Sequence, residues 1–220
     1  MNHSVIINWI YFLIRFFVGP FVRLIWVKKV TGLENIPMKG PAIVAFNHQS
    51  YFDFICFIAV TPRNIHYLSA EKFLKNPIWR FLLKITGQIP VIRKSRDKRE
   101  LHDIVYQHLS EGKIIGIFPE GTRADDNTTM LRAYPGVARY AIKKKVPIIP
   151  VGIVGAFEVL SRHENFPKFK KIVEIKIGIP IYFYEYHTVK LNKRAFSVLA
   201  NKVMTEIASL SGKIYPHYNA

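Results

Sequence analysis

The stretch Ala42-Ile43-Val44-Ala45-Phe46-Asn47-His48-Gln49-Ser50-Tyr51-Phe52-Asp53 joins a short apolar run to a histidine and an aspartate that four residues separate. A short apolar run bounded by polar residues is typical of a buried strand. The segment Phe118-Pro119-Glu120-Gly121-Thr122-Arg123 stands at the end of a second apolar run, 114–118, in the same way. The sequence therefore predicts two polar motifs, each placed where a buried strand ends.

Short apolar runs alternate with helical patterns along the rest of the chain. Strands are predicted at 42–46, 66–69, 89–92, 114–118, 148–153 and 172–177, and helices at 52–60, 71–85, 96–110, 136–145 and from a cap at Thr188 to about residue 210. This alternation predicts an α/β fold with a mainly parallel central sheet flanked by helices. Ligands of open α/β sheets bind beyond the carboxyl ends of the strands, where both polar motifs fall.

Residues 5–27 form the most hydrophobic part of the chain. At about 100° per residue, Asn8, Arg15, Gly19 and Arg23 fall within an arc of about 80° on a helical wheel, and the rest of the wheel is apolar. A narrow polar stripe of this kind favours a helix that lies in one membrane leaflet, kinked or split at Gly19-Pro20. A membrane span, or a helix buried in the protein's own core or a partner's, is the alternative.

We therefore divide the chain into a membrane-associating amino-terminal segment, 1–29, and an α/β domain, 30–220. Lysine and arginine number 32 against 15 acidic residues, a net charge of +17 that favours an anionic partner. The basic runs lack the interleaved aromatic residues of a nucleic-acid stacking surface, which leaves anionic lipid, a phosphorylated substrate or an acidic protein as the partner. The single cysteine, Cys56, lies in an apolar run and is interpreted as core.

His48 and Asp53 are the candidate catalytic pair. If a helix begins near Ser50, the Asp53 carboxylate reaches back to one imidazole nitrogen and leaves the other to accept a proton, as a general base does. The alternative is a helix cap, with Asn47 or Ser50 at the first position and His48 merely exposed. The sequence has no motif for an activated nucleophile or a zinc site, so a base would deprotonate a substrate hydroxyl that attacks an acyl carbonyl directly.

The second motif offers groups that bind an anion. Gly121 permits close ligand approach, and Arg123 supplies a planar fork of donors for phosphate. Glu120 is suited either to hold a substrate hydroxyl or to pair with a basic residue as scaffolding. Arg93 ends a third predicted strand and is placed to reach the same pocket, whereas the basic run that follows it is interpreted as a surface.

In this order the motifs resemble the glycerolipid acyltransferase family, and most closely its 1-acylglycerol-3-phosphate acyltransferases. The matching blocks are Asn47–Asp53, Ile89–Arg93, Phe118–Arg123 and Val146–Val151. The resemblance implies that His48 is the base and that Asp53 orients it. It also implies that Arg93, Glu120 and Arg123 hold the glycerol phosphate, and we count Gly121 and Thr122 of the same block as substrate-binding.

The resemblance implies transfer of a fatty acyl group from acyl-CoA or an acylated carrier protein to lysophosphatidate, giving phosphatidate for phospholipid biosynthesis. No metal or bound cofactor is expected, and the enzyme would attach to the cytoplasmic face of an anionic membrane through its amino-terminal segment. Many relatives carry Phe-Lys before the glycine matched by Gly136, whereas this chain has Ala133-Tyr134. Either Arg132 takes over phosphate recognition or the acceptor is another lysolipid. A non-catalytic basic module on membranes is the third option.

Overall fold

The computed structural model describes residues 3–92 and 97–218. Its amino-terminal helix consists of α1 (His3–Leu13), a π-helical turn (Ile14–Val18) and α2 (Gly19–Ile25). The N–H of Gly19 donates to the carbonyl of Ile14, five residues earlier. Pro20 has no N–H to donate, and a widened turn is one way to accommodate a proline inside a helix. The helix therefore continues through Gly19-Pro20 instead of dividing into two separate helices.

A seven-stranded sheet forms the centre of the molecule. Its strands are β1 (Val27–Thr31), β2 (Ala42–Phe46), β3 (Ile65–Ala70), β4 (Ile89–Val91), β5 (Ile114–Ile117), β6 (Ile148–Val154) and β7 (Val173–Ile177). They lie in the order β1-β7-β6-β2-β5-β3-β4. The five strands from β6 to β4 are parallel, whereas β7 is antiparallel to β6 and pairs in parallel with β1. The predicted mainly parallel α/β sheet is confirmed.

The strand β1 was not predicted, because its sequence contains two lysines and resembles the polar end of the preceding helix. It is an edge strand in which only Val27 is fully buried, so its short apolar content suffices. The strand includes residues on both sides of residue 29, where the sequence analysis placed the domain boundary. The amino-terminal helix is thereby joined to the sheet without a linker.

Helices cover both faces of the sheet. They are α3 (Phe52–Val60), α4 (Pro77–Ile85), α5 (Arg99–Ser110), α6 (Gly136–Lys144), the short α7 (Ala156–Val159) and α8 (Lys193–Ser211). The helix predicted at 71–85 is divided, because Asn76 caps α4 and Pro77 occupies its first turn. The cap predicted at Thr188 is wrong, since the Asn192 side chain accepts the N–H of Ala195 and α8 begins at Lys193.

Two hydrophobic cores result from the alternation of side chains along the buried strands. Ala42, Val44 and Phe46 of β2 face a core that also contains residues of α2, α3 and α7, including the buried Cys56. Ile43 and Ala45 face the opposite core, which contains residues of α5, α6 and α8. Because β2 lies between β6 and β5 and is buried on both faces, the residues that follow it start from a fixed position.

Asn8 and Arg15 of the polar stripe bind the α/β domain, whereas Arg23 is exposed. Arg15 donates to the carbonyl of Pro62 (2.6 Å) and to the side chain of Asn64 (2.7 Å), which in turn binds Asn8 (2.7 Å). The Tyr11 hydroxyl donates to the carbonyl of Ile65. The opposite side exposes large apolar side chains: Trp9, Phe12, Leu13, Phe16, Phe17, Val18, Phe21 and Leu24. The helix Val5–Ile25 is long and apolar enough to cross a membrane.

The turn after β1 depends on Gly32, and a matched pair of substitutions tests this. Gly32 has φ +76°, and a Cβ atom there would lie 1.9 Å from the carbonyl oxygen of Ile177 in β7. Gly40 has φ +80°, but nothing lies within 4 Å of the corresponding position. Both alanine variants should lose about 1–2 kcal/mol to the left-handed backbone, and Gly32→Ala about 1–3 kcal/mol more to overpacking. Denaturant unfolding measures the difference, and equal losses would contradict this account.

Candidate active site

The parallel pairing of β2 with β5 brings the two polar motifs together at one edge of the sheet. Ala45 is in register with Ile117, so the chain leaves both strands at the same level. The backbone of one motif also binds the other, because the N–H of Ala124 donates to the carbonyl of His48 (2.8 Å). The sequence-predicted residues His48, Asp53, Glu120, Gly121, Thr122 and Arg123 thus belong to one pair of adjoining loops. Arg93 lies outside the described residues.

Asn47 fixes the first loop by acting as one further sheet residue. Its side-chain amide donates to the carbonyl of Ile153 (2.9 Å) and accepts the N–H of Ile153 (2.8 Å). The Ser50 hydroxyl accepts the N–H of Phe52 (3.0 Å) and donates to the carbonyl of Leu160 (2.6 Å). Asn47 is therefore a brace to β6 and does not cap α3, whereas Ser50 makes a short turn before that helix.

The His48 imidazole is oriented by Asp53 in the first turn of α3. Nδ1 of His48 lies 2.9 Å from Oδ2 of Asp53, and the same oxygen accepts the N–H groups of Gln49 and Ser50, each at 2.9 Å. A carboxylate oxygen that accepts from three donors requires Nδ1 to carry the proton, which leaves Nε2 with a lone pair. Among the described residues, none hydrogen-bonds Nε2. The Asp53 side chain is 1% exposed and that of His48 is 15% exposed, so only the imidazole reaches the surface.

Phe118 supports the imidazole from the neighbouring strand. Its ring stacks on His48 with the centroids 4.0 Å apart and the planes 27° apart. Phe46 and Tyr67 pack behind Phe118 at 5.2 Å and 5.9 Å. The aromatic stack and the Asp53 hydrogen bond together restrict the ring to one orientation. Phe118 was not predicted as a site residue from the sequence. Its place directly after β5, two residues before Glu120, is the signal that identifies it.

Glu120 connects the backbone of three segments. Its carboxylate accepts the N–H of His48 (2.7 Å) with one oxygen and the N–H of Leu131 (2.7 Å) with the other. The side chain is buried, and burial raises the pKa of Glu120 to about 7, although the two backbone donors oppose this rise. Because both oxygens bind backbone, the geometry supports the scaffolding role that the sequence left open, with N–H groups in place of a basic side chain.

Gly121 and Thr122 form the turn that follows. Gly121 has φ +68°, and a Cβ atom there would lie 2.8 Å from the ring of Tyr134, so glycine is required on two grounds. The N–H of Gly121 donates to the carbonyl of Phe118 (2.9 Å), so this donor serves the turn. Thr122 is exposed. Tyr134, which stands where many relatives have lysine, lies at the rim of the same loop.

Arg123 lies over an aromatic ring of the loop that carries His48. Its guanidinium carbon lies 3.8 Å from the ring centroid of Tyr51, the residue that precedes α3. A cation over a tyrosine face is attracted by the ring electrons and keeps its hydrogen-bond donors available in its own plane. The carbonyl of Arg123 accepts from Arg162 (3.2 Å), which also pairs with Asp125 (2.6 Å). Tyr51 was likewise not singled out from the sequence, where it resembles any other aromatic residue.

Comparisons with known proteins show that this chain is similar to several acyltransferases. The chain is 28% identical over 188 residues to the 1-acyl-sn-glycerol-3-phosphate acyltransferase of Bacillus subtilis, across 84% of this chain and 89% of that protein. It is 30% identical over 165 residues to the enzyme of the same name from Borreliella burgdorferi, across 74% of this chain and 62% of that protein. The crystal structure of the 1-acyl-sn-glycerophosphate acyltransferase PlsC from Thermotoga maritima shares the fold, with a TM-score of 0.73 and 24% identity over 92% of this chain and 78% of that chain.

A family model described as Acyltransferase matches residues 28–154. This region runs from β1 to the end of β6 and contains His48, Asp53 and the loop 120–123. The match extends over more than half of the chain. The chain belongs to the Acyltransferase family of enzymes.

Proposed function

We propose that this acyltransferase moves a fatty acyl group from a thioester donor, acyl-CoA or an acylated carrier protein, to the free hydroxyl of 1-acylglycerol-3-phosphate. The product is phosphatidate, a precursor in phospholipid biosynthesis. The observation that carries the proposal is the His48–Asp53 pair, in a loop that is hydrogen-bonded to the loop of Arg123 through the N–H of Ala124. The acceptor is inferred from the names of the relatives in Bacillus subtilis and Borreliella burgdorferi.

The reaction requires one base and one acid, and His48 supplies both in turn. Its Nε2 takes the proton of the acceptor hydroxyl while the oxygen attacks the thioester carbonyl carbon. The tetrahedral intermediate then collapses, the carbon–sulfur bond breaks, and the leaving thiolate takes the proton from the imidazolium. Asp53 stabilises the imidazolium, because its carboxylate already accepts the Nδ1 proton at 2.9 Å.

Direct attack on the thioester is preferred to an acyl-enzyme. Cys56 is the single cysteine of the chain, and burial in the core raises the pKa of its thiol to about 12. A thiol of this kind is a poor nucleophile and has no path to a substrate. The described parts of the chain also contain no group of three or more His, Cys, Asp or Glu side chains arranged to hold a metal. The proposed mechanism uses no metal or bound cofactor.

The acceptor phosphate is assigned to Arg123. The guanidinium lies 3.8 Å from the centroid of the Tyr51 ring, and its planar donor fork suits a phosphate group. Arg93 remains a predicted second ligand, and Glu120 is proposed to act through the backbone of His48 instead of touching the substrate. One loop thus positions the base, and the adjoining loop positions the phosphate.

A second acceptor is favoured by one observation. The Tyr134 ring is 68% exposed and lies against Gly121, at the position where many relatives have a lysine. With this lysine replaced, phosphate binding falls to Arg123 and Arg132, or the enzyme acts on a lysolipid with another headgroup. A panel of lysolipid acceptors, assayed side by side with lysophosphatidate, separates these two cases.

The apolar outer face of the amino-terminal helix supports attachment to a membrane. We propose that it embeds from the cytoplasmic side, where both acyl donors are found, and that the net charge of +17 favours anionic lipid. Asn8 and Arg15 form hydrogen bonds with the domain, and a helix whose polar side chains bind its own protein suits monotopic attachment. A non-catalytic module would have no use for the oriented His48.

Replacing His48 should abolish turnover without unfolding the enzyme. His48→Ala removes the base and should lower kcat about 10²- to 10⁴-fold. Thiol release from acyl-CoA and from acylated carrier protein, with lysophosphatidate in detergent, measures the rate, and mass spectrometry identifies the lipid. His187→Ala, at a half-buried histidine that follows the turn Tyr184–Tyr186 away from the site, is the matched control. Retention of more than about a tenth of the activity by folded His48→Ala would remove His48 as the base.

The contribution of Glu120 to the free energy of unfolding should depend on pH. Its pKa is raised from 4.5 to about 7, so between these pH values the folded protein holds a proton that the unfolded chain has lost. This contribution to stability is complete below the unfolded value and is lost as the pH rises through 7. The stability advantage of wild type over Glu120→Gln should therefore shrink from about pH 5 to about pH 8 in denaturant unfolding.

Glu120→Gln should also destabilise at every pH, by about 1–3 kcal/mol, because its amide group faces a buried backbone N–H. Glu206→Gln, at an exposed position on α8, is the control and should change neither quantity. A wild-type advantage that is constant with pH would show that Glu120 does not titrate in this range.

Replacing Arg123 should change the kinetic constants for the acceptor and leave those for the acyl donor nearly unchanged. Arg123→Ala removes the proposed phosphate ligand and should raise the acceptor KM, or lower kcat/KM, about 10- to 100-fold, as expected for hydrogen bonds to a charged group. The KM for the acyl donor should stay within about two-fold. Arg194→Ala, at an exposed arginine of α8, is the control. Unchanged acceptor kinetics in Arg123→Ala would refute the assignment.

A further inference from the structure

We infer that the loop formed by residues 161–172 inserts into the surface of an anionic bilayer and holds the active-site edge of the sheet against it. This inference rests on the proposed function, which needs a lipid acceptor, and it adds a second contact to the amino-terminal helix. The residues of this 161–172 loop lie between α7 and β7.

Two large aromatic side chains of the loop project into solvent. Phe166 is 84% exposed and Phe169 is 77% exposed. The loop also carries four basic residues against one acidic residue: Arg162, Lys168, Lys170 and Lys171 against Glu164. Aromatic rings flanked by lysines are the composition of a segment whose rings enter the acyl boundary while its cations meet lipid phosphates.

The loop is held in a fixed shape before it meets any partner. The N–H of Lys168 donates to the carbonyl of Val159 (2.8 Å), and the indole N–H of Trp26 donates to the carbonyl of Lys168 (2.9 Å). The Glu164 carboxylate accepts the N–H of Ser161 (2.9 Å) and pairs with Lys168. Insertion of the exposed rings therefore costs little ordering of the backbone.

The loop continues the apolar face of the amino-terminal helix. The Phe169 ring stacks on Trp26 with the centroids 5.8 Å apart, and Trp26 contacts the ring of Phe21 at 6.2 Å. Phe21 and Leu24 are themselves exposed on the outer side of α2. The buried Trp26 ring thus packs against an exposed aromatic ring of the helix on one side and of the loop on the other. This continuity favours a bilayer over a separate protein partner as the occupant.

The same surface borders the active site. Because β7 is antiparallel to β6, and β1 is parallel to β7, both begin at the edge where β2 and β5 end. Arg162 of the loop donates to the carbonyl of Arg123 (3.2 Å). A lysolipid in the bilayer would therefore meet Arg123 and His48 next to the point where the loop inserts. An acidic carrier protein would be drawn to the lysines, but it gives no reason for two exposed phenylalanines.

Site-directed fluorescence tests the insertion directly. Cys56 is fully buried, so a cysteine introduced on the surface is the thiol that a reagent reaches in the folded protein. The full chain carrying Phe166→Cys is labelled with an environment-sensitive nitrobenzoxadiazole group and mixed with vesicles of phosphatidylglycerol and phosphatidylcholine. Ile179→Cys is the matched control, because Ile179 is 80% exposed and follows the far end of β7.

The label at position 166 should shift its emission to shorter wavelength, be quenched by spin-labelled lipid and lose most of its quenching by iodide. The label at position 179 should still be quenched by iodide and should not be quenched by spin-labelled lipid. If both labels stay in water while the protein sediments with the vesicles, the inference is overturned. A response at position 166 to acidic carrier protein, or to higher protein concentration without vesicles, would overturn it in favour of that partner.

A kinetic comparison separates this inference from the proposed function. Phe166→Glu should lower activity about 10-fold with lysophosphatidate embedded in anionic vesicles, the effect of withdrawing one phenylalanine from an apolar environment. Activity with acceptor dispersed in detergent should be unchanged, and Ile179→Glu should alter neither. Equal losses in both assays by a folded Phe166→Glu would overturn the membrane role. The fluorescence result needs no turnover and stands even if the acceptor is another lipid.

Discussion

The parallel pairing of β2 with β5 on one side and β6 on the other is the constraint on which the site depends. It sends two chain segments out of the sheet at the same level, and it leaves each with unpaired backbone groups that the other can satisfy. The carbonyl of His48 accepts the N–H of Ala124, and the Asn47 amide continues the pairing with Ile153 for one residue beyond the strand. The loop that carries His48 is therefore an extension of the sheet, and its position is fixed by the buried strands on either side.

Two buried carboxylates work in opposite ways in this loop. Asp53 directs one oxygen to three donors, of which one is the imidazole, so its charge is used to orient and stabilise His48. Glu120 gives each oxygen to a backbone N–H and has its pKa raised by burial to about 7. A buried charge is costly unless donors surround it. The first carboxylate receives its donors from the loop directly before α3, whereas the second obtains them by joining segments distant in sequence, which makes it a brace of the tertiary structure.

The sequence predicted the central fold well because its buried strands and the helix 52–60 have strong, uninterrupted patterns. The edge strand β1 was not predicted because two of its five residues are lysines, and an edge strand needs little apolar content. The division of the helix at 71–85 was hidden because Asn76 and Pro77 act locally within an otherwise helical pattern. In the site, the charged residues were predictable from their chemistry. Tyr51 was not, because an aromatic ring that packs on a functional side chain has the same sequence signature as one that fills a core, and Phe118 could be identified only by its place two residues before Glu120.

The amino-terminal helix shows what a helical wheel leaves undetermined. A narrow polar stripe on an apolar helix is compatible with the stripe facing water or facing protein, since the wheel gives its width and not its direction. Here Arg15 and Asn8 bind the domain through Asn64 and the carbonyl of Pro62, whereas Arg23 is exposed. Ile7, Tyr11 and Val22 are buried beside them, so the docked surface contains both polar and apolar groups, and the other large apolar side chains face outward. The same contacts fix the rotation of the helix about its axis, and β1 follows it directly. Trp26 precedes β1, which begins at the sheet edge where β2 ends and His48 follows. A membrane that covered the outward face of the helix would therefore lie close to that edge.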